Sequence, residues 1–346
     1  MSEDGCMKLR GAIVGCGMIA EFHLRGWQRI PEVDVVALVD PARDRAEERR
    51  VRFAPHARLY DTLDALFADR GPGALDFVDI LTPPWLHREH CLRAAQAGVH
   101  VICQKPLCDR LEEARALVDA LRDYRRLFVV HENHPYRPWF RDLLRRHRDG
   151  FFGRPRFLHL VQHDAREPPE RFKAEAERGV MLEYGVHLVD MVRALLGEPR
   201  RVFAQFQRIN PRVRGESLAH VVFEYPDATA VIDISWKARG LQQGGVLLIG
   251  DAAEAWFEGR MTRGEVSRYR VTSGNTVVLD ETRSPTEDYV EAFYLLEREF
   301  ADAMLGGPAP VQRAVNNLRT VEATFAAYDA AAELAPVLLA PHEADV

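Results

Sequence analysis

The stretch "LRGAIVGCGMIAEFHLRG", Leu9 to Gly26, decides the fold. It opens on a short β-rich run, "LRGAIVG", and residues 18 to 30 then read as a helix. At the joint, "GCGMIA" (Gly15 to Ala20) fits the pattern GxGxxG with alanine in the third place. Gly15 permits a tight strand-to-helix turn, Gly17 lets backbone amides approach a bound group, and Ala20 is small enough for helix and sheet to pack closely. Met18 and Ile19 occupy the variable positions of that turn. A second strand, "VDVVALVD", ends on Asp40, 20 positions beyond Ala20.

Working outward, the charged helical stretch "PARDRAEERRVRF" completes a βαβ unit. The alternation continues through "LDFVDILT" (75 to 82), a helix from His87 to Gln96, "VHVICQ", a helix from Leu111 to Arg122, and "LFVVHE". Strands alternating with helices predict a doubly wound parallel sheet of Rossmann type over residues 1–131, its ligands lying beyond the carboxyl ends of the strands. After about residue 150 come longer two-sided strands: "RPRFLHLVQHD", "RRVFAQFQRI", "LAHVVFEY", "ATAVIDISW" and "GGVLLIG". With helices at 181 to 196, 287 to 305 and 311 to 333, they predict a second, α+β domain over 132–346 with a large open, mostly antiparallel sheet.

The composition agrees with an α/β chain of two domains, since 346 residues with 47% apolar content can bury two cores. No apolar run has signal-peptide or membrane-span length, so a soluble, cytoplasmic protein is expected. A net charge of −6 without a basic block argues against nucleic acid or an anionic membrane as partner and favours a small molecule. The five cysteines follow no metal-ligand spacing and read as reduced thiols. Only Lys8, Lys105, Lys173 and Lys237 are lysines among 46 basic residues.

Four places carry candidate chemistry. The glycine turn, in its strand and helix context, reads as a dinucleotide site holding pyrophosphate at a helix N-terminus. Asp40 favours NAD over NADP, because a carboxylate there accepts from ribose hydroxyls and repels a 2′-phosphate; it also suits the start of the next helix, and Arg43 could instead pair with a phosphate. In "LTPPWLHREH", Thr82, Pro83, Trp85 and His87 border the same crevice, although the prolines suit any helix start and Trp85 or His87 alone would suit packing. In "VICQKPLC", Gln104 and Lys105 end a strand at that crevice, and acid/base work would call for lysine there because arginine does not lose its proton. In "GVMLEYGVHLVDMVRALLG", Glu183, His187 and Asp190 form a polar line on an apolar helix, either a solvated face or a proton-transferring histidine oriented by Glu183.

Taken in this order and spacing, "GCGMIA", "TPPWLH", "AGVHVICQKPL" and "EYGVHLVDMVRALLG" resemble the Gfo/Idh/MocA family, with "HENHPYRP" and "FFGRPRFLHL" in support. The resemblance implies a Rossmann domain binding NAD(P) and a second domain whose open sheet binds substrate and makes a homodimer or homotetramer. It also implies oxidation of a sugar, aminosugar or cyclitol hydroxyl, or reduction of the ketone, with Lys105 polarising the substrate oxygen and His187 exchanging its proton beside Glu183. Some relatives instead use tightly bound NAD in a redox-neutral glycosidase or lyase cycle, and others are non-catalytic sensors. The family's usual glutamate is Gln104 here, which predicts a lower Lys105 pKa and an upward shift of the alkaline pH-rate limb in Gln104→Glu. His163 and Trp236 are expected at the substrate, with His159, Arg166, Lys237 and Tyr289 as weaker candidates. His131 and His134, together with the two strand histidines, show no spacing that demands a metal, and none is expected.

Overall fold

The computed structural model describes residues 8–71, 73–164, 171–236, 243–261 and 266–339. The chain divides into two compact units, Met1–Asn133 with Val290–Arg319, and His134–Tyr289 with Thr320–Val346. A single cut after residue 131 therefore leaves out a return of the chain to the first unit.

The first unit runs β1 (Leu9–Val14), α1 (Ala20–Trp27), β2 (Val33–Val39), α2 (Arg43–Phe53), β3 (Arg58–Tyr60), α3 (Leu63–Arg70), β4 (Phe77–Ile80), α4 (Pro84–Gln96), β5 (His100–Gln104), α5 (Leu111–Ala120) and β6 (Phe128–His131). All six strands are parallel in the order β3-β2-β1-β4-β5-β6. Strand order reverses beside β1, so the crevice at its carboxyl end is the binding position for a sheet of this kind. Helix α1 is shorter than the periodicity predicts, since Pro31 biases Ile30 out of the helical region. Helix α4 starts three residues early, at Pro84, whose ring presets the φ of a first helical residue.

Residues 290–304 join this unit because of their spacing. Phe293, Leu296, Phe300 and Ala301 recur at helical intervals and are fully buried. The Phe300 ring lies 5.9 Å from Phe77 and 6.4 Å from Trp27, which itself lies 4.7 Å from Phe77. Each such side chain contributes roughly 1.5–3 kcal/mol by leaving water. The approach is close enough to require glycine in α1: a Cβ on Gly26 would stand 1.9 Å from Glu297 Oε2. Gly26→Ala is therefore expected to cost about 1–3 kcal/mol despite alanine's better helix propensity, read as a lower denaturant midpoint at unchanged slope.

The second unit runs α6 (Pro138–Arg148), β7 (Pro155–His163), α7 (Arg171–Glu175), a π-helical turn (Met181–Gly185), α8 (Val186–Leu196), β8 (Arg201–Gln207), β9 (Leu218–Glu224), β10 (Thr229–Ser235), β11 (Gln243–Gly250), β12 (Glu254–Glu258), β13 (Ser267–Ser273) and β14 (Thr276–Arg283). Then come α9 (Pro285–Met304), α10 (Ala314–Glu333) and β15 (Val337–Leu338). The nine strands order as β14-β13-β12-β11-β7-β10-β9-β8-β15, and only β7 with β10 pairs in parallel. Along β7, Leu158 and Leu160 are buried in one cluster with Leu188, Val189 and Val192 of α8. The alternate residues, Phe157, His159, Val161 and His163, face the other way. Among the described residues, no helix is long and apolar enough to cross a membrane.

Candidate active site

In the first unit, the turn after β1 is built around Gly15, whose φ of +100° is strained for any side chain; a Cβ there would also lie 2.9 Å from the Leu81 carbonyl. Gly17 has nothing within 4 Å of where a Cβ would stand, so its backbone is open to a ligand, and Ala20 is fully buried against the sheet. Met18 is exposed, and Ile19 precedes the first residue of α1. The Asp40 carboxylate is buried at the end of β2 and accepts from Cys16 N–H and Ala42 N–H, each at 2.8 Å. It thereby pins the glycine turn to the next strand, with acceptor capacity left over. Arg43 pairs with Asp61 at 3.4 Å, and the cation nearer Asp40 is Arg45, at 3.8 Å. Arg49, buried in α2, reaches the Gly17 carbonyl at 3.4 Å, a contact the charged pattern of α2 did not distinguish from its other arginines.

Trp85 is half exposed at the start of α4. Thr82 Oγ1 lies 3.1 Å from His90 Nδ1. His87 is fully buried, with Nε2 at 2.7 Å from the Thr82 carbonyl and Nδ1 at 2.9 Å from that of Pro106. Both nitrogens are turned toward backbone carbonyls of the two crevice loops, and the neutral ring, with a single N–H, donates to one of them. Burial pushes its pKa down to about 4, outweighing the carbonyls that pull upward.

Gln104 is buried, and its side-chain oxygen accepts from the Lys105 N–H at 2.8 Å while its amide nitrogen lies 2.9 Å from His23 Nε2. Gln104 thus faces the protein interior and shapes the crevice indirectly. His23 Nδ1 lies 2.8 Å from Asp79 Oδ2, which also accepts from Trp27 Nε1 at 2.8 Å. Lys105 is half buried directly after β5, and the peptide joining it to Pro106 is cis. The described cysteines, Cys16, Cys91, Cys103 and Cys108, are all free and buried, and burial raises the Cys16 thiol to about 12. Such thiols do not act as nucleophiles.

In the second unit, Glu183 sits in the π-helical turn and His187 on the first turn of α8. Glu183 Oε1 pairs with Lys173 Nζ at 2.6 Å. The buried His187 ring stacks on His134 with centroids 3.8 Å apart, and Tyr184 OH lies 3.2 Å from His134 Nε2. The sequence reading missed both partners; Lys173, one of only four lysines, was the available signal. Asp190 serves the core: it accepts from Thr320 Oγ1 at 2.5 Å, and that hydroxyl accepts from Arg193 at 2.6 Å. The start of the π-helical turn is capped from afar, because the Glu216 carboxylate accepts from Gly179 N–H at 2.8 Å, Met181 N–H at 2.9 Å and Tyr328 OH at 2.7 Å.

Two further candidates lie on or beside the second sheet. His163 is on the sheet face opposite the one that packs with α8, 3.0 Å from Ser235 Oγ, and Trp236 is buried in the hydrophobic core of this unit. By strand alternation His163 does not group with His187, whereas Trp236 follows the face of Ile232 and Ile234 and lies in one cluster with Leu188 and Val189 of α8. On the face of His163, Asp233 is bonded to His159 at 2.6 Å and also to His220, which holds its carboxyl below the usual range. Tyr289 packs on the Arg137 guanidinium at 5.0 Å. Arg166 and Lys237 lie outside the described residues.

Comparison with known proteins agrees with this architecture. Residues 9–132 match the oxidoreductase family with an NAD-binding Rossmann fold, and residues 140–256 match the GFO/IDH/MocA C-terminal domain. A D-apiose dehydrogenase from Paraburkholderia graminis is 30% identical over 98% of this chain and 92% of its own, and one from Rhizobium rhizogenes is 27% identical over 94% and 96%. Among solved structures, an oxidoreductase from Agrobacterium radiobacter in complex with NAD+, L-tartaric acid and magnesium superposes with a TM-score of 0.86 at 25% identity, covering 96% of this chain and 98% of that one. A levoglucosan dehydrogenase with NADH and L-sorbose has the same fold, with a TM-score of 0.85 at 19% identity over 97% and 100%. The chain therefore belongs to the GFO/IDH/MocA family of NAD-binding oxidoreductases.

Proposed function

We propose that the protein is an NAD-dependent dehydrogenase, or the matching ketoreductase, for a CH–OH group of a sugar, aminosugar or cyclitol. The observation that carries this reading is that two relatives named D-apiose dehydrogenase align with it along almost the whole chain. The residues fit the nucleotide, through the open backbone at Gly17 and the buried carboxylate of Asp40. When bound, nicotinamide supplies the hydride acceptor. Lys105 polarises the substrate oxygen and His187 takes the hydroxyl proton as the carbinol carbon loses hydride, with Glu183 and Lys173 fixing the polar turn beside His187. In reduction the same groups return the proton.

The test is a panel of aldoses, apiose included, with polyols and cyclitols, assayed with NAD+ and NADP+. Net accumulation of reduced nucleotide with at least one member is expected; product without net reduced nucleotide would select the redox-neutral cycle instead. Asp40 also makes the reading of NAD over NADP testable. Asp40→Ser removes the charged acceptor of the ribose hydroxyls and the repulsion of a 2′-phosphate, so the NAD/NADP ratio of kcat/KM should fall by about 10–100-fold. An unchanged ratio would place the discrimination elsewhere, Arg45 being the nearest other charge.

A further inference from the structure

The core beneath Lys105 holds a polar chain with one proton to place. Its members are Gln104, His23, Asp79 and Trp27, and all but Gln104 are essentially sealed from solvent. Lys105 N–H can only donate, and it donates to the Gln104 side-chain oxygen at 2.8 Å. The Gln104 nitrogen, which can only donate, is then the atom 2.9 Å from His23 Nε2. His23 Nε2 must accept, so its ring proton is on Nδ1 and is given to Asp79 Oδ2 at 2.8 Å.

We infer that Gln104 holds His23 as the neutral Nδ1–H tautomer, and that His23 and Asp79 act through Gln104 as positioning residues for Lys105. This rests on the role proposed above for Lys105. A glutamate at position 104, the family's usual residue, offers no donor. It would accept from Lys105 N–H and require a proton on His23 Nε2, while Nδ1 still donates to Asp79. The histidine would then be an imidazolium. Glutamine, neutral histidine and aspartate carry one negative charge together, and so do glutamate, imidazolium and aspartate. The exchange adds a carboxylate and takes up one proton from solvent, which leaves the net charge beneath Lys105 unchanged, so Gln104→Glu should not raise the alkaline limb as a single added negative charge would.

The other groups around His23 agree. Glu297 Oε1 lies 3.5 Å from His23 Nδ1 and 3.7 Å from His131 Nε2, and the His131 ring centroid lies 4.0 Å from that of His23. Complete burial beside Asp79 raises the Glu297 carboxyl and favours its protonated form, which spares the cluster a second anion. His23, His131 and Glu297 could together offer three ligand atoms to a metal ion. A cation on His23 Nδ1 would, however, displace that proton to Nε2 and point it at the Gln104 amide group, so the donor pattern favours the hydrogen-bonded core.

The test is nitrogen-15 NMR of histidine-labelled protein, with His23 assigned by its loss in His23→Asn. The wild type should show His23 protonated on Nδ1 alone at neutral pH, and Gln104→Glu should show both ring nitrogens protonated. In parallel, the alkaline limb of the pH-rate profile should move by less than about half a pH unit. A wild-type His23 protonated on Nε2, a neutral His23 in Gln104→Glu, or stoichiometric metal bound by the wild type and lost in His23→Asn would overturn the inference. The NMR result stands whether or not the protein turns over a sugar, so failure of the proposed activity is distinguishable from failure of the proton assignment. Should Gln104→Glu not fold, the wild-type tautomer alone decides.

Discussion

Lys105→Met is expected to lower kcat by about 10²–10⁴-fold, the range typical of losing a positioned proton-transfer or polarising group. Methionine keeps much of the length and apolar stem of lysine and removes only the ammonium. The lysine backbone N–H is fixed by Gln104 and Pro106 lies buried behind it, so the turn itself should survive. Dinucleotide binding, measured by quenching of protein fluorescence, should stay within a few-fold of wild type because the glycine turn and Asp40 are untouched. Lys105→Arg should be nearly as inactive, since a guanidinium does not give up a proton and its planar fork cannot take the place of a compact ammonium. A variant that keeps kcat while losing nucleotide affinity would move Lys105 from chemistry to binding.

The second large effect concerns acid stability. His87 is fully buried with a pKa lowered from 6.5 to about 4, so the native state binds fewer protons than the unfolded chain between those values. The sign follows directly: stability is complete above pH 6.5 and is lost as pH falls toward 4, by about 3 kcal/mol from this one residue. His100, lowered to about 4 by burial and by Arg126, acts in the same direction, with a smaller share because it is only partly buried. Denaturant midpoints at pH about 7 and about 4.5 should therefore differ strongly in wild type. His87→Gln, whose amide can donate to the Pro106 or Thr82 carbonyl without titrating, should show a shallower fall. An equal slope in both proteins would mean that other groups set the acid limit. Loosening of these two loops in wild-type protein should also weaken nucleotide binding over the same pH window.

Much of the fold was legible because local signals agreed with the tertiary answer. The apolar runs of β1, β2, β4, β5 and β6 are buried parallel strands, and such strands read as continuous hydrophobic stretches. The hairpin of β13 and β14 was harder to see. Arg268, Arg270 and Asp280 give it a polar face held by ion pairs, and its turn depends on Gly274 at a φ of +53°. Nor could the return of residues 290–304 to the first unit be read from periodicity. The helical pattern shows that Phe293 and Phe300 need a partner surface, and it does not say which.

The site shows the same division. The tight turn at Gly15, the open backbone at Gly17 and the strand ends at Asp40 and Lys105 were legible because motif spacing encodes a backbone need or a strand end. His87, Trp236 and Asp190 stayed ambiguous in the sequence because a polar or aromatic residue on an apolar element has two fates, and only the fold shows its partners. His87 turns both nitrogens to loop backbone and donates from one, Trp236 fills a core, and Asp190 is locked to Thr320. The roles of Glu216 and His134 escaped for the converse reason, since each acts on a partner distant in sequence, while Lys173 had only its rarity to mark it.

Hydride transfer between a carbinol carbon and a nucleotide that is then released can be measured directly. A substrate from the sugar and cyclitol panel, carrying deuterium on the carbon to be oxidised, would be turned over with NAD+ and the released nucleotide examined by mass spectrometry. One deuterium in the free reduced nucleotide is expected per molecule of oxidised product formed, with the transfer suppressed in Lys105→Met. Product formed with its deuterium retained, and no labelled nucleotide in solution, would contradict it.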